Sequence, residues 1–333
     1  MISMTRRVER NRPMHSRVFL AGGLLAWVLT FMIALYFGSV SDADWSLIQE
    51  LRLPRAVLAG AVGMGLAVAG AALQAIFSNP LCEPYTLGIS SGAALGAVLG
   101  TTFDLNWNYA GLAGPAFLGA LLFTAVLLIV SMRSGTGMLG LLLTGVMLSF
   151  LGSSLVAVWM AFADSSGLQG AIVWLMGNLS RARLEGALLS LACALLLSVG
   201  IWSRWRELDA LLLGEEGAAA LGVSVAPVRR RLILLSSLLV GLCVSGGGMI
   251  GFVGLMVPHF VRGRIGSLHL ALLPACAVWG AASLTAADTL ARVATRPYEL
   301  PVGVVTAFIG APLFVLILLK SGRNAAEKSG GLL

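Results

Sequence analysis

Eight stretches of this chain run without a single Asp, Glu, Lys or Arg: residues 56–82, 84–103, 105–132, 134–163, 186–203, 232–261, 265–287 and 300–319. A membrane-crossing helix needs roughly 20 mostly apolar residues. Most runs therefore match one span, while 134–163 and 232–261 are long enough for a span plus an ordered loop. A further apolar segment, Val18–Phe37, follows five arginines and has no small-residue cleavage site behind it, so it reads as a retained span. A soluble core needs no such series, and a chain that is 58% hydrophobic with a mean hydropathy of +0.92 reads as an all-α polytopic membrane protein. Residues 1–333 are expected to form a single transmembrane domain, with 206–231 as its cytoplasmic region.

Spans are expected at about 18–38, 54–77, 86–102, 110–131, 138–162, 186–203 and 232–247. A break at Gly246–Gly248 leads to a partial helix at 249–261, and two more spans follow at 270–292 and 301–319, ten in all. Residues 39–53 form an outer loop with Asp42, Asp44, Glu50 and a short helix near Trp45–Leu51. SNPLCEPY (78–85) has two prolines and must break the helix before it. The external segment Asp164–Glu185 carries a short amphipathic piece at Ile172–Met176, and the tail 320–333 is polar and frayed. With both ends inside, 16 basic residues fall in the cytoplasm and Arg52, Arg55, Arg181, Arg183, Arg292 and Arg296 outside, the asymmetry expected of this orientation. The +7 net charge thus sets topology; its basic residues form no soluble patch for nucleic acid. The 41 glycines, with Gly60, Gly63, Gly65 and Gly70 in one span, give thin helix surfaces for close packing.

One stretch breaks the apolar pattern. Arg206–Arg231 holds 8 charged residues in 26 positions, in a chain that is 11% charged. It reads as two short helices. Leu208–Leu213 stops at Gly214. The second opens on Glu215 and Glu216, suited to a positive helix end, and closes at Gly222. Pro227 and Arg229–Arg231 lead into the next span. A solvated topology loop has the same composition; a docking knob is the other reading.

The remaining motifs limit the chemistry. The two lysines, Lys320 and Lys328, do not follow glycine, so no phosphate-binding loop is encoded and the chain is not itself an ATPase. Cys82, Cys193, Cys243 and Cys276 are far apart within apolar surroundings and read as core residues, with no metal site. Asp288 is the clearest intramembrane acid, and Arg292 at i+4 makes a structural ion pair the simpler role. Arg52 and Arg55 share a face around Pro54. They either snorkel, pair with Glu50, or dock an acidic partner outside, with Arg292 on the same side. His259 reads as a packing or capping residue.

RLPR (52–55), LQAIFSNPLCEPYTLGISSGAALGA (73–97), GEEGAAALGV (214–223), GFVGLMVPHFVR (251–262) and ELPVGVVTAFIGAPLFVLIL (299–318) together resemble the FecCD-type permeases, membrane subunits of ABC importers for ferric siderophores, haem and cobalamin. The resemblance covers nearly the whole chain. It implies ten-helix subunits in a homodimer or close heterodimer in the bacterial inner membrane, two ATPase subunits below, and a periplasmic binding protein above. ATP and magnesium would sit on the ATPase, with no cofactor on this chain. Leu213, Gly214, Glu215, Glu216, Ala220, Leu221 and Gly222 then fall in the ATPase-coupling region, and Arg52, Arg55 and Arg292 match docking arginines. Asn79, Leu81, Gly135 and Met138 match the cytoplasmic gate. Arg181 and Arg183, after the Gly177–Ser180 turn, add positive charge at the outer mouth, where they either favour an anionic cargo, snorkel, or contact the binding protein. The resemblance implies import of an iron chelate, with cobalamin the runner-up. An ion-coupled carrier using Asp288 is the reading from another class.

Overall fold

The computed structural model describes residues 13–38, 45–103, 105, 108–109, 112–133 and 137–330. The basic tail up to Arg12, the loop acids Asp42 and Asp44, and Gly135 lie outside these residues. The regular structure of the described chain is helical apart from a two-residue hairpin, β1 Asn108–Tyr109 with β2 Leu112–Ala113, paired antiparallel.

The helices are α1 Pro13–Tyr36, α2 Leu53–Ile76, α3 Ile89–Thr102, α4 Gly114–Ser131, α5 Met138–Phe162, α6 Ser165–Leu175 and α7 Leu184–Trp202. Then come α8 Trp205–Leu211, α9 Gly214–Ala220, α10 Val225–Gly247, α11 Val253–Ile265, α12 His269–Val293 and α13 Val302–Gly330. Among the described residues six helical stretches are long and apolar enough to cross a membrane: those containing α1, α2, α4, α5, α7 and α12. α3 and the apolar part of α13 are shorter, and α11 spans only 13 residues.

α2 is the axis of the molecule. Every residue from Pro54 to Phe77 is buried. Its 24 residues rise about 36 Å, and α7, α10, α11 and α12 pack along that length. Small residues make this possible. A Cβ at Gly63 would run into the Gly280 carbonyl on α12, a Cβ at Gly280 into the Gly63 carbonyl, and a Cβ at Gly70 into the Gly254 carbonyl on α11. With lipid tails as apolar as the helices, close backbone packing takes over the role that hydrophobic burial plays in water. α5 is the opposite case. It leaves Leu139, Leu143, Met147, Phe150, Leu155, Val158 and Phe162 exposed along its length.

Several boundaries differ from expectation. The turn at Trp45–Leu47 and a π-helical turn, Ile48–Arg52, continue unbroken into α2, so the outer loop helix is part of the span. α10 begins at Val225, which puts Pro227 and Arg229–Arg231 inside the helix. Proline is tolerated there because first-turn N–H groups have no helical partner. α6 is a full 11-residue helix, capped by the Asp164 carboxylate on Gly167 N at 3.2 Å. α11 starts only at Val253, because Gly248 (φ +70°) and Phe252 (φ +69°) hold the chain in left-handed turns. α13 runs on to Gly330, so the expected frayed tail is helical over 320–330. α5 occupies 138–162 as expected. Cys82, Cys243 and Cys276 are buried free thiols and Cys193 is half-buried, in line with core roles.

Candidate functional sites at the two ends of the central helix

The two ends of α2 carry different chemistry. At its N-terminal end, Arg52, Arg55 and Arg292 come together around a cavity of about 130 Å³ that also meets Gly38, Ser180 and Glu299. The three arginines are buried, at 4%, 7% and 2% exposure. Asp288 holds two of them. Arg55 donates to both its oxygens through Nε at 3.0 Å, and Arg292 Nε lies 3.2 Å from Oδ2. Arg55 also pairs with Glu299 at 2.6 Å. Arg52 turns back to the C-terminal end of α1 and donates to the carbonyls of Leu35 at 3.1 Å and Tyr36 at 2.6 Å. A cation suits that negative helix end, and Gly38 leaves the room: a Cβ there would lie 2.8 Å from Arg52 Nε.

The gathering of these arginines was legible; their burial was not. In this chain their guanidinium groups tie α1, α2 and α12 to the Glu299 loop. The i+4 pair of Asp288 with Arg292 is present as a buried structural contact. The arginines that stand exposed at this end are Arg181, Arg183 and Arg296. Arg181 and Arg183 follow a turn that is firmly seated. Gly177 adopts φ +77°, Asn178 N donates to Gly247 O at 2.8 Å, and Val302 N donates to Gly177 O at 3.1 Å.

At the other end, α2 stops at Phe77 and the chain breaks. Ser78 takes a positive φ of 44°, which a side chain tolerates only at a cost in backbone strain. Asn79 N reaches back to Gln74 O at 3.0 Å, and its side-chain oxygen accepts from Leu81 N at 2.9 Å. Asn79 is therefore half-buried within its own turn, while Leu81 projects outward at 50% exposure. Met138, half-buried, is the first residue of α5. This break is stitched to the one before α11. Glu83 Oε1 accepts from Phe252 N at 3.0 Å, and Gln74 donates to Gly254 O while accepting from Arg262. Glu83, Gln74 and Arg262 have no pattern in sequence that announces these pairings. His259 is half-buried on α11.

The charged stretch folds into α8 and α9 beside this break. α8 begins three residues earlier than expected, and Gly214 with φ +83° reverses the chain into α9. Glu215 and Glu216 occupy the first turn of α9, and Gly222 closes it with φ +81°. One face is anchored: Leu208, Leu211 and Ala218 are buried, and Glu215 pairs with the buried Arg229 of α10 at 3.0 Å. The other face is free. Leu213 and Leu221 stand 65% and 64% exposed, with Glu216, Ala219, Ala220 and Gly222 between them.

The comparisons give this geometry a setting. The profile of the FecCD transport family matches residues 18–320. The vitamin B12 import system permease protein BtuC of Vibrio cholerae serotype O1 is 43% identical over 289 residues, 86% of each chain. The hemin transport system permease protein HmuU of Yersinia pestis is 41% identical over 300 residues, 88% of each chain. A solved structure described as an inward-facing conformation of a metal-chelate type ABC transporter superposes with a TM-score of 0.82 at 37% identity, covering 90% of this chain and 98% of the other.

Proposed function

The chain belongs to the FecCD transport family and is the permease subunit of an ABC importer, and on that premise we propose that it moves a metal chelate inward by alternating access. Haem or a ferric siderophore is the first reading of the cargo. Cobalamin is the second, supported by the similarity to a vitamin B12 permease. The exposed Arg181 and Arg183 favour an anionic cargo such as haem with its propionates. In this reading the α8–α9 end lies in the cytoplasm and the arginine end in the periplasm of an inner membrane, with α3, α10, α11 and α13 completing ten membrane segments. Two copies of the chain enclose the path, so no single subunit needs a closed pore. ATP and magnesium belong to two separate ATPase subunits.

The observation that carries the reading is the α9 knob. Its outer face of Leu213, Glu216, Ala220 and Leu221 enters a cleft of the ATPase, and its inner face is fixed to the spans. Closure of the ATPase pair on ATP then moves α8 and α9 as a rigid unit. The adjoining break at Ser78–Leu81, with Met138, is the gate. At the far end a periplasmic binding protein docks. Its acidic residues meet Arg181, Arg183 and Arg296 at the surface, and the buried Arg52, Arg55 and Arg292 keep that surface rigid. Selection of cargo rests mainly with the binding protein, because the spans offer few charges to a ligand.

Proteoliposomes containing this chain, its ATPase and its binding protein test this, with ATP inside and haem, a ferric siderophore or cobalamin outside. Accumulation of one cargo that requires both ATP and the binding protein is the expected result. Accumulation by this chain alone would instead support an ion-coupled carrier. Replacing Arg181 and Arg183 by alanine should reduce uptake of an anionic cargo more than a neutral one; equal losses would remove the argument for haem.

A further inference from the structure

α12 begins without a cap of its own. The residue before it, Leu268, has no side chain able to accept a hydrogen bond, yet His269, the first helical residue, is completely buried. A buried helix start with open N–H groups is costly. The missing acceptor comes from 60 residues earlier. Asp209 of α8 places Oδ1 at 2.8 Å from His269 N, and the same oxygen lies 2.6 Å from the imidazole Nδ1. The far ring nitrogen, Nε2, is buried with no hydrogen-bond partner among the described residues. One carboxylate oxygen therefore engages both the backbone and the side chain of the residue that opens α12.

α8 makes a second grip two residues on. The Leu211 carbonyl accepts from Ser78 Oγ at 3.3 Å, at the strained residue where α2 ends. On the flank, Trp202 Nε1 at the end of α7 donates to the Leu270 carbonyl of α12 at 3.0 Å. Leu208 and Leu211 are buried beneath this arrangement. So α8 touches both members of the central pair: the last turn of α2 and the first turn of α12, which lock together further along through Gly63 and Gly280. The knob itself is tied to α10 by the ion pair of Glu215 with Arg229.

We propose that the Asp209–His269 contact is the positioning link through which movement of the α8–α9 knob is delivered to α12. Asp209 and His269 touch neither nucleotide nor cargo; they act through the helices they join. The inference rests on the permease reading above. An apolar contact in place of this link would let α8 slide over α12, because dispersion has little directionality. A carboxylate shared between an N–H and an imidazole fixes distance and angle together. With the link intact, a displacement of α8 carries the start of α12 with it. Without it, the knob still seats in the ATPase and hydrolysis still proceeds, but the stroke is spent at the surface.

The test compares cargo delivered per ATP hydrolysed in the assembled transporter, for wild type, Asp209→Ala, Asp209→Asn and the control Glu207→Gln. Glu207 pairs with Arg204, three positions earlier on the same surface. For Asp209→Ala the expected result is ATP hydrolysis close to wild type and roughly a tenfold drop in cargo per ATP, within the range of coupling between linked sites. Asp209→Asn keeps an acceptor for His269 N and should recover part of the ratio. It also covers the case in which the alanine variant does not assemble. Glu207→Gln should keep the wild-type ratio. An unchanged ratio in both Asp209 variants, or hydrolysis and uptake falling in equal proportion, overturns the proposal while leaving the permease reading in place. Failure of the wild-type assembly to import any cargo with ATP overturns both.

Discussion

Asp288 sits between two guanidinium groups, and its value to the protein lies in what it neutralises. It is 1% exposed, Arg55 and Arg292 are nearly as buried, and Glu299 is the second acid within reach. Buried pairs of this kind contribute little net energy when whole, because desolvation offsets their attraction, but losing one partner strands the other. Asp288→Asn should lower stability by about 3–5 kcal/mol, read as an earlier thermal unfolding midpoint in detergent. Replacing Asp288 and Arg292 together by leucine should restore part of that loss, since fewer charges are then left unmatched. An ion-carrying acid would behave differently: its removal would abolish uptake without this pattern in stability. The i+4 spacing to Arg292 was visible in sequence. The pairing with Arg55, 233 positions away, was not, because nothing local in either segment points to a partner so distant in sequence.

At the level of the helix, the same glycines that mark α2 as close-packed also decide which substitutions it accepts. Gly63 faces the Gly280 backbone, so Gly63→Val should prevent α2 and α12 from meeting and yield little folded protein. At Gly22, on the exposed side of α1, an added Cβ would meet nothing within 4 Å, and Gly22→Val should fold with a midpoint near wild type. Yield and monodispersity on size exclusion separate the two outcomes. Helix positions were largely legible because charge-free runs are set by the bilayer. Helix ends were less so, because caps set them. α10 starts at Val225, within the charged stretch, since Arg229 can be buried against Glu215. α13 continues past Leu319 because a polar composition does not by itself stop a helix. The knob was found by its charge density, whereas Asp209 and His269 carried no signal: each looks ordinary in its own segment, and only the fold sets them 2.6 Å apart.

For the whole molecule, the permease reading assigns the two ends to opposite faces of the membrane. Leu221 on the knob and Tyr298 beside the arginine cluster are both well exposed, at 64% and 79%. The native cysteines offer little background, three being buried and Cys193 half-buried on a span. A cysteine at position 298 should react with a membrane-impermeant thiol reagent added to intact spheroplasts, and one at 221 only after the membrane is opened. Labelling of both from the same side would contradict the reading of orientation. The arrangement around α2 also reaches into how the protein is made. The helix encased on every side leaves the ribosome before α7, α10, α11 and α12, the helices that encase it. At synthesis rates of about 5–20 residues per second, Arg55 waits roughly 10–50 seconds for Asp288 to be translated. During that interval a glycine-rich helix with two arginines at its rim must be sheltered by lipid, water at the interface, or the insertion machinery. The most protected segment of the finished transporter is thus the most dependent on help while nascent, and anything that shortens the chain before residue 288 leaves Arg55 permanently without its acid.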